Sequence, residues 1–512
     1  MIPDHAAHEP HSDLEGDYDA GGRDFLDEII KQNDVPLLLR YNQQAKEDGE
    51  DIFSRVKVSL YGYYPLPPFY SAANHGSLDT LRALIDLYQS DPTHSQQPLE
   101  KYLQRLDFRI LNLACGNADR KMTQFLLDHQ PPLGAWRDRD AKGATPLICA
   151  AQAFLGNVQA LKRKMKETSP AGIREKLRVH HARYGEFIEF CLASGASVRE
   201  TDQYMLPYQL GWQAQPGDHE ILGDTVLGNM VTRASYMMVS RLIAAGADTH
   251  IVQTWYDPYA FSGGLRCAGV TPLHIASRYW NLDAIQAILD HRGQTGLAEM
   301  VSRRDDHGRP PLHWALMGDK DEIATLTSSE VTSRLLRTVK LLLDIGPAMV
   351  NVKDQVNKTV LHYAVNSRVG DADCLAACEI FLQLLAILVM HGADPSMCDE
   401  SSRTMLYRLA MRDSNIRLID AEALEKILTL VNINNSDVNG DTVLHYIARR
   451  LPQAHAVCIL LSRGANVNAV NKMGNTPLHL AAGASIFPRW RQMDNSEHAE
   501  TPLEEGLRRL RR

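Results

Sequence analysis

One short pattern recurs along the chain and dictates most of what it can become. It reads Thr145-Pro146-Leu147-Ile148, Thr225-Val226-Leu227-Gly228, Thr271-Pro272-Leu273-His274 and Pro310-Pro311-Leu312-His313. It continues as Thr359-Val360-Leu361-His362, Thr404-Met405-Leu406-Tyr407, Thr442-Val443-Leu444-His445 and Thr476-Pro477-Leu478-His479. Small residues follow most copies, among them Ala276, Ala315, Ala364, Ala410, Ala448 and Ala481. Just upstream stands Asp-x-x-Gly or a weaker form of it: Asp140/Gly143, Asp305/Gly308, Asp354/Asn357, Asp399/Ser402, Asp437/Gly440 and Asn471/Gly474. A leucine-rich stretch followed by Gly-Ala closes several units, at Gly195, Gly246, Gly392 and Gly464.

Each landmark has a local physical cause. Asp bonds the backbone ahead of it, and Gly accepts positive φ, so Asp-x-x-Gly is turn chemistry. Thr caps a helix, and Pro suits its first position, where the missing N–H was an orphan anyway. Leu and the small residues after it give a narrow face that lets a neighbouring helix approach. The later Gly ends a second helix in the left-handed conformation. The unit is turn, helix, helix, loop.

This set of landmarks resembles the ankyrin repeat, with its T-P-L-H-x-A signature and period of about 33 residues. Thr442 and Thr476 stand 34 positions apart, whereas Thr225 and Thr271 stand 46 apart and Thr145 and Thr225 stand 80 apart. The array is therefore degenerate and carries insertions near 167–183, 251–268 and 318–333, which such stacks place in surface loops. In this it is similar to fungal regulatory ankyrin proteins. The resemblance implies an all-α solenoid of helix-turn-helix units with short turn fingers, about ten repeats in all. Pro68–Ala73 and Ile110–Cys115 read as earlier units without the Thr-Pro-Leu signature. The expected organisation is an acidic disordered tail over 1–23, capping helices over 24–60, repeats over 61–485, and a linker with a capping helix over 486–512. In that last segment Leu503, Leu507 and Leu510 share one helix face.

Composition narrows the function. Lys+Arg 54 against Asp+Glu 62 gives a net charge of −8, which does not favour a phosphate backbone, so direct nucleic-acid binding is not expected. Cys374–Met390 is the most apolar run, but Glu379 and Gln383 interrupt it, so it reads as a buried helix and no membrane partner is expected. Met1–Asp24 has no apolar core of a secretory signal, which points to an intracellular chain. The eight cysteines are scattered without a C-x-x-C, and no disulfide framework, metal site or cofactor is expected. No P-loop, G-x-G-x-x-G, H-E-x-x-H or G-x-S-x-G is present.

The remaining chemistry-bearing residues have bland readings. His274, His313, His362, His445 and His479 occupy one repeat position each and cannot converge on a centre; the resemblance gives them backbone hydrogen bonds near the turns. Asp138, Asp140, Asp305 and Asp306 sit in turns, where Asp is expected for local reasons. His5, His8 and His11 could capture a metal weakly, against a solvated terminus. Pro65–Pro68 with its flanking aromatics reads as packing under the first repeats, against an exposed docking segment. Arg508, Arg509, Arg511 and Arg512 complement a helix C-terminus, against a nuclear-import cluster.

Ankyrin proteins bind other proteins through the turn tips and first helices, so the resemblance implies a non-enzymatic scaffold for protein–protein interaction. The most concrete form is a regulatory adaptor or transcription coregulator whose partner is a transcription factor, resident in cytoplasm or nucleus. An adaptor for protein degradation, and an enzyme carried in an insertion, are the alternatives. Carried over unit by unit, the contact positions are Lys142 and Ala144, His307 and Arg309, Gln355 and Lys358, Glu400 and Arg403, Asn439 and Asp441, and Lys472 and Asn475.

Overall fold

The computed structural model describes residues 25–54, 67–104, 109–140, 143–155, 170–203, 222–257, 265–292, 296–318, 327–365, 374–411, 421–449 and 453–483. The expected tail over 1–23, the segment 486–512 and its arginines, and Pro65, Leu66 and Lys142 lie outside them. The chain divides into two compact units, Met1–Gly156 with His180–Asn229, and Asn157–Val179 with Met230–Arg512.

In the first unit the inner helices Phe25–Lys31, Pro68–His75, Ile110–Gly116 and Pro146–Leu155 pack each on the next. Val35–Glu47, Leu78–Ser90 and Arg120–Asp128 form the second helices of the pairs. Side-chain carboxylates start two of these: Asp34 accepts the Leu37 N–H at 3.0 Å and Asp119 the Met122 N–H at 3.0 Å. Phe69 is fully buried and meets Phe53, Tyr88 and Tyr102, so this end of the aromatic segment is core.

The second unit repeats the scheme with better landmarks. Pro272–Arg278, Pro311–Met317, Val360–Val365, Met405–Met411, Val443–Ala448 and Pro477–Ala482 are the inner helices, stacked in chain order. Leu282–Arg292, Ser328–Ile345, Cys374–Met390, Ala421–Leu428 and Ala454–Ser462 are the outer ones, again neighbour on neighbour. Gly246, Gly392 and Gly464 have φ of 101°, 87° and 86° and end the helices before them. The following N–H of Ala247, Ala393 and Ala465 returns to Leu242, Leu388 and Leu460 at 2.9–3.0 Å. Each repeat gains from inner-helix leucines such as Leu273, Leu312 and Leu361, all almost fully buried, at about 1.5–3 kcal/mol per side chain.

Three insertions differ from the loops expected of them. Pro170–Ala193 is a single helix, so 170–183 of the first insertion is helical. The second, near 251–268, forms an antiparallel hairpin of Gln253–Asp257 and Leu265–Val270 with Trp255 opposite Cys267. In the third, 319–326 lies outside the described residues, and Ser328 already begins an outer helix. There Thr327 and Glu330 form a capping box. A second antiparallel pair joins Thr201–Gln203 to Leu222–Thr225, so the described residues form a helical fold with two small two-stranded sheets. No helix among the described residues is long and apolar enough to cross a membrane.

Candidate functional site

The turns of the second unit are built by one carboxylate used twice. Oδ1 of Asp305 accepts the N–H of His307 at 2.9 Å and of Arg309 at 2.8 Å, closing the turn. Asp354, Asp399 and Asp437 do the same for the residues two and four ahead, at 2.8–3.1 Å. Oδ2 points inward and takes a donor nine residues on. That donor is the Trp314 indole (2.8 Å), the Tyr363 hydroxyl (2.7 Å), the Arg408 guanidinium (2.9 Å) or the Tyr446 hydroxyl (2.8 Å). The position after the repeat histidine carried this signal in the sequence and was missed. Burial opposes the charge on Asp305, but Arg309 beside it and the hydrogen bonds it accepts hold its carboxyl below the usual range. Positive φ is needed at the fourth turn position, where Gly308 has 77° and Gly440 77°. Asn357 and Ser402 reach 58° each in the weaker copies.

Successive turns are tied into a ladder. Gln355 N–H donates to His307 O at 2.9 Å, Glu400 to Val356 at 3.1 Å, Val438 to Ser401 at 3.1 Å and Lys472 to Asn439 at 2.9 Å. The hairpin insertion serves as the first rung, with Asp306 N–H on Ala268 O at 3.1 Å.

The histidines are the joints between units. In His274, His362 and His445, Nδ1 accepts the backbone N–H of Thr271, Thr359 or Thr442 at 3.0–3.2 Å. Nε2 must then carry the proton, because it faces a carbonyl of the next turn: Arg309, Arg403 or Asn475, at 2.9–3.1 Å. Where tyrosine or asparagine stands in for histidine, the task survives. The Tyr407 hydroxyl donates to Asp441 O at 2.9 Å, and in the first unit the Asn112 amide donates to Ala144 O at 2.7 Å. Burial pushes His274 and His313 down to about 4 and lowers His362.

His313 follows Pro310, which has no N–H, and its Nδ1 is buried without a partner. Pro310→Thr is therefore expected to stabilise the second unit by about 1 kcal/mol. It satisfies an orphaned acceptor worth about 1–3 kcal/mol and gives up proline rigidity worth about 0.4–1 kcal/mol. The backbone at 310 (φ −76°, ψ 170°) already matches Thr271 (−94°, 162°). An unchanged or lower urea midpoint would contradict this.

The sequence-derived contact positions now separate into two sets. Ala144, Arg309, Lys358, Arg403, Asp441 and Asn475 carry carbonyls that accept those joint hydrogen bonds, Lys358 from His313 at 3.4 Å. Ala144, Arg309 and Asp441 are buried as well, so their side chains belong to the frame. Gln355, Glu400, Asn439 and Lys472 are exposed, and His307 is partly so. They stand on the turn ladder, one to a turn. Among the other carboxylates, Asp138 accepts the Ala135 N–H at 2.8 Å and Asp140 the Ala144 N–H at 3.0 Å, both local. In the first unit Asp202 and Asp224 share the Gln152 amide at 3.1 Å each, which fastens the strand pair to the helix Pro146–Leu155. Burial and the neighbouring Asp224 push Asp202 up to about 7.

The sequence of 417–487 matches the family model of ankyrin repeats in three copies. Turn, paired helices and histidine joint recur around that segment and before it. The chain carries ankyrin repeats. Similar proteins include Regulatory protein SWI6 of Kluyveromyces lactis, 30% identical over 35% of this chain and 24% of its own length. The Nuclear factor NF-kappa-B p105 subunit of Gallus gallus is 27% identical over 42% of this chain and 19% of its own. Palmitoyltransferase AKR1 of Lachancea kluyveri is 27% identical over 40% and 24%. The matches thus span about a quarter or less of these relatives, and ankyrin repeats of this kind also occur in an enzyme. The chain shares its ankyrin repeats with regulatory proteins, and protein interaction is the work these repeats support.

Proposed function

We propose that this ankyrin-repeat chain is a non-enzymatic regulatory adaptor that binds a transcription factor through the turn edge of its second unit, in cytoplasm or nucleus. One observation carries the reading. The frame residues of each turn are constant in role, whereas the residues presented on successive turns differ: His307, Gln355, Glu400, Asn439 and Lys472. A rigid ladder with a variable row of side chains is suited to recognising one protein surface. The names of two relatives, one a regulatory protein and one a nuclear factor subunit, support the choice of partner class.

The triple variant Gln355→Arg, Glu400→Arg, Lys472→Glu tests it. These side chains are exposed, so stability should stay within about 0.5 kcal/mol. The partner co-purified with the unaltered chain is expected to bind the variant at least tenfold more weakly. Equal binding by the two proteins would overturn the assignment of this edge.

A further inference from the structure

The first rung of the ladder gathers more ligating atoms than a turn needs. Cys267, on the hairpin strand Leu265–Val270, is fully buried. Its Sγ lies 2.9 Å from Asp306 Oδ1, 3.2 Å from Asp305 Oδ2 and 3.6 Å from His307 Nδ1. All four atoms lie within 4.8 Å of one another. A thiol has one proton and is a weak donor, so it satisfies one of these acceptors and leaves the others crowded against sulfur. We propose that Cys267, Asp306 and His307 form a binding site for a zinc-like divalent transition metal, which fastens the inserted hairpin to the first ankyrin turn.

The donor set selects the ion. Thiolate, imidazole and carboxylate together suit zinc and its neighbours, whereas magnesium and calcium prefer oxygen alone. Zn–S of about 2.3 Å and Zn–N or Zn–O of about 2.0–2.2 Å place tetrahedral ligands roughly 3.5 Å apart, which the 3.6 Å from Sγ to His307 meets and the 2.9 Å from Sγ to Asp306 reaches by opening roughly 0.6 Å. The Asp306–His307 contact, 2.7 Å, has to open by roughly 0.6 Å for both to ligate on that same geometry. Their side chains are 42% and 40% exposed, which leaves room for the movement and a route for the ion.

The surroundings are already arranged as a supporting shell. Asp306 Oδ2 is held by the Ala268 N–H at 2.9 Å, leaving Oδ1 for the metal. Arg309 Nη2 lies 3.0 Å from Cys267 Sγ, where it supports a thiolate. Asp305 Oδ2 is occupied by Arg309 Nε at 2.7 Å and the Trp314 indole, so Asp305 contributes charge, and water takes the fourth position. Two aspartates and one arginine leave one net negative charge; a thiolate and a dication bring the sum to zero. Binding releases the thiol proton to solvent, so affinity rises with pH.

Chelator-treated full-length protein titrated with Co2+ tests the site. One equivalent should produce a thiolate-to-cobalt charge-transfer band with the visible spectrum of a four-coordinate ion, and Zn2+ should abolish both by displacement. Cys267→Ser is expected to lose the charge-transfer band. His307→Ala, at an exposed turn, should bind at least tenfold more weakly. Zn2+ should raise hydrogen-exchange protection across 265–270 in the unaltered chain and leave it unchanged in Cys267→Ser. No charge-transfer band in the unaltered chain, or the same band in Cys267→Ser, overturns the proposal.

Discussion

Replacing Asp305 with alanine is expected to cost about 3–5 kcal/mol, the usual effect of removing one member of a buried ion pair. The Asp305–Arg309 pair is almost wholly enclosed, with side chains 0% and 5% exposed. The substitution leaves the Arg309 guanidinium buried without its carboxylate and the Trp314 indole N–H without its acceptor. It also frees the turn N–H groups of His307 and Arg309. Arg309 O is the acceptor for His274, so the joint to the preceding repeat loosens with the turn.

Stacked repeats contact only their neighbours, so the loss should appear first on either side of this joint. Hydrogen-exchange protection of 272–278 and 305–317 should fall by about two to three and a half orders of magnitude, at 1.4 kcal/mol per decade. Asp305→Asn keeps an oxygen for the turn N–H groups and removes only the charge, so its loss should be smaller. Equal exchange in Asp305→Ala and the unaltered chain would show that the turn is held by the stack and not by this carboxylate.

What could be read from the sequence was what is decided locally. Thr271, Gly246 and Gly308 act through their own backbone or that of residues a few positions away, so their residue types announce the turn and helix ends. The stacked ankyrin frame followed from those. Tasks that cross from one repeat to the next were harder to see. Tyr407 and Asn112 replace a histidine because the geometry asks only for a hydrogen aimed at a carbonyl, and three unrelated side chains supply one. The hairpin Gln253–Val270 was read as a loop because its Gly-rich middle hides a pairing set by Trp255 against Cys267. The cluster at Cys267 escaped for the same reason: the ladder brings sulfur to residues 305–307, far away in the chain. Half of the expected contact strip proved to be the row of carbonyls that receives the joints.

Those joints should give the second unit a pH response that the first unit opposes. His274 and His313 titrate near 4 in the fold and near 6.5 when unfolded, because burial disfavours the charged ring. The unfolded chain therefore binds more protons between these values. The stabilisation is complete above 6.5 and is lost as pH falls towards 4, by on the order of 2 kcal/mol per histidine between pH 7 and 5. His362 shifts in the same direction. Asp202 has the reverse sign: its folded value of about 7 lies above the unfolded 3.8. Its contribution is present below 3.8 and is lost as pH rises through 7, on the order of 2 kcal/mol between pH 5 and 7. Protection factors across 272–278 and 311–317 should thus drop from pH 7 to 5, while those across 146–155 and 222–225 should rise. His274→Gln with His313→Gln should flatten the first trend, and Asp202→Asn the second, whatever their effects on stability at a single pH. The same slope in both units would mean that neither the histidine joints nor the Asp202 carboxylate governs it.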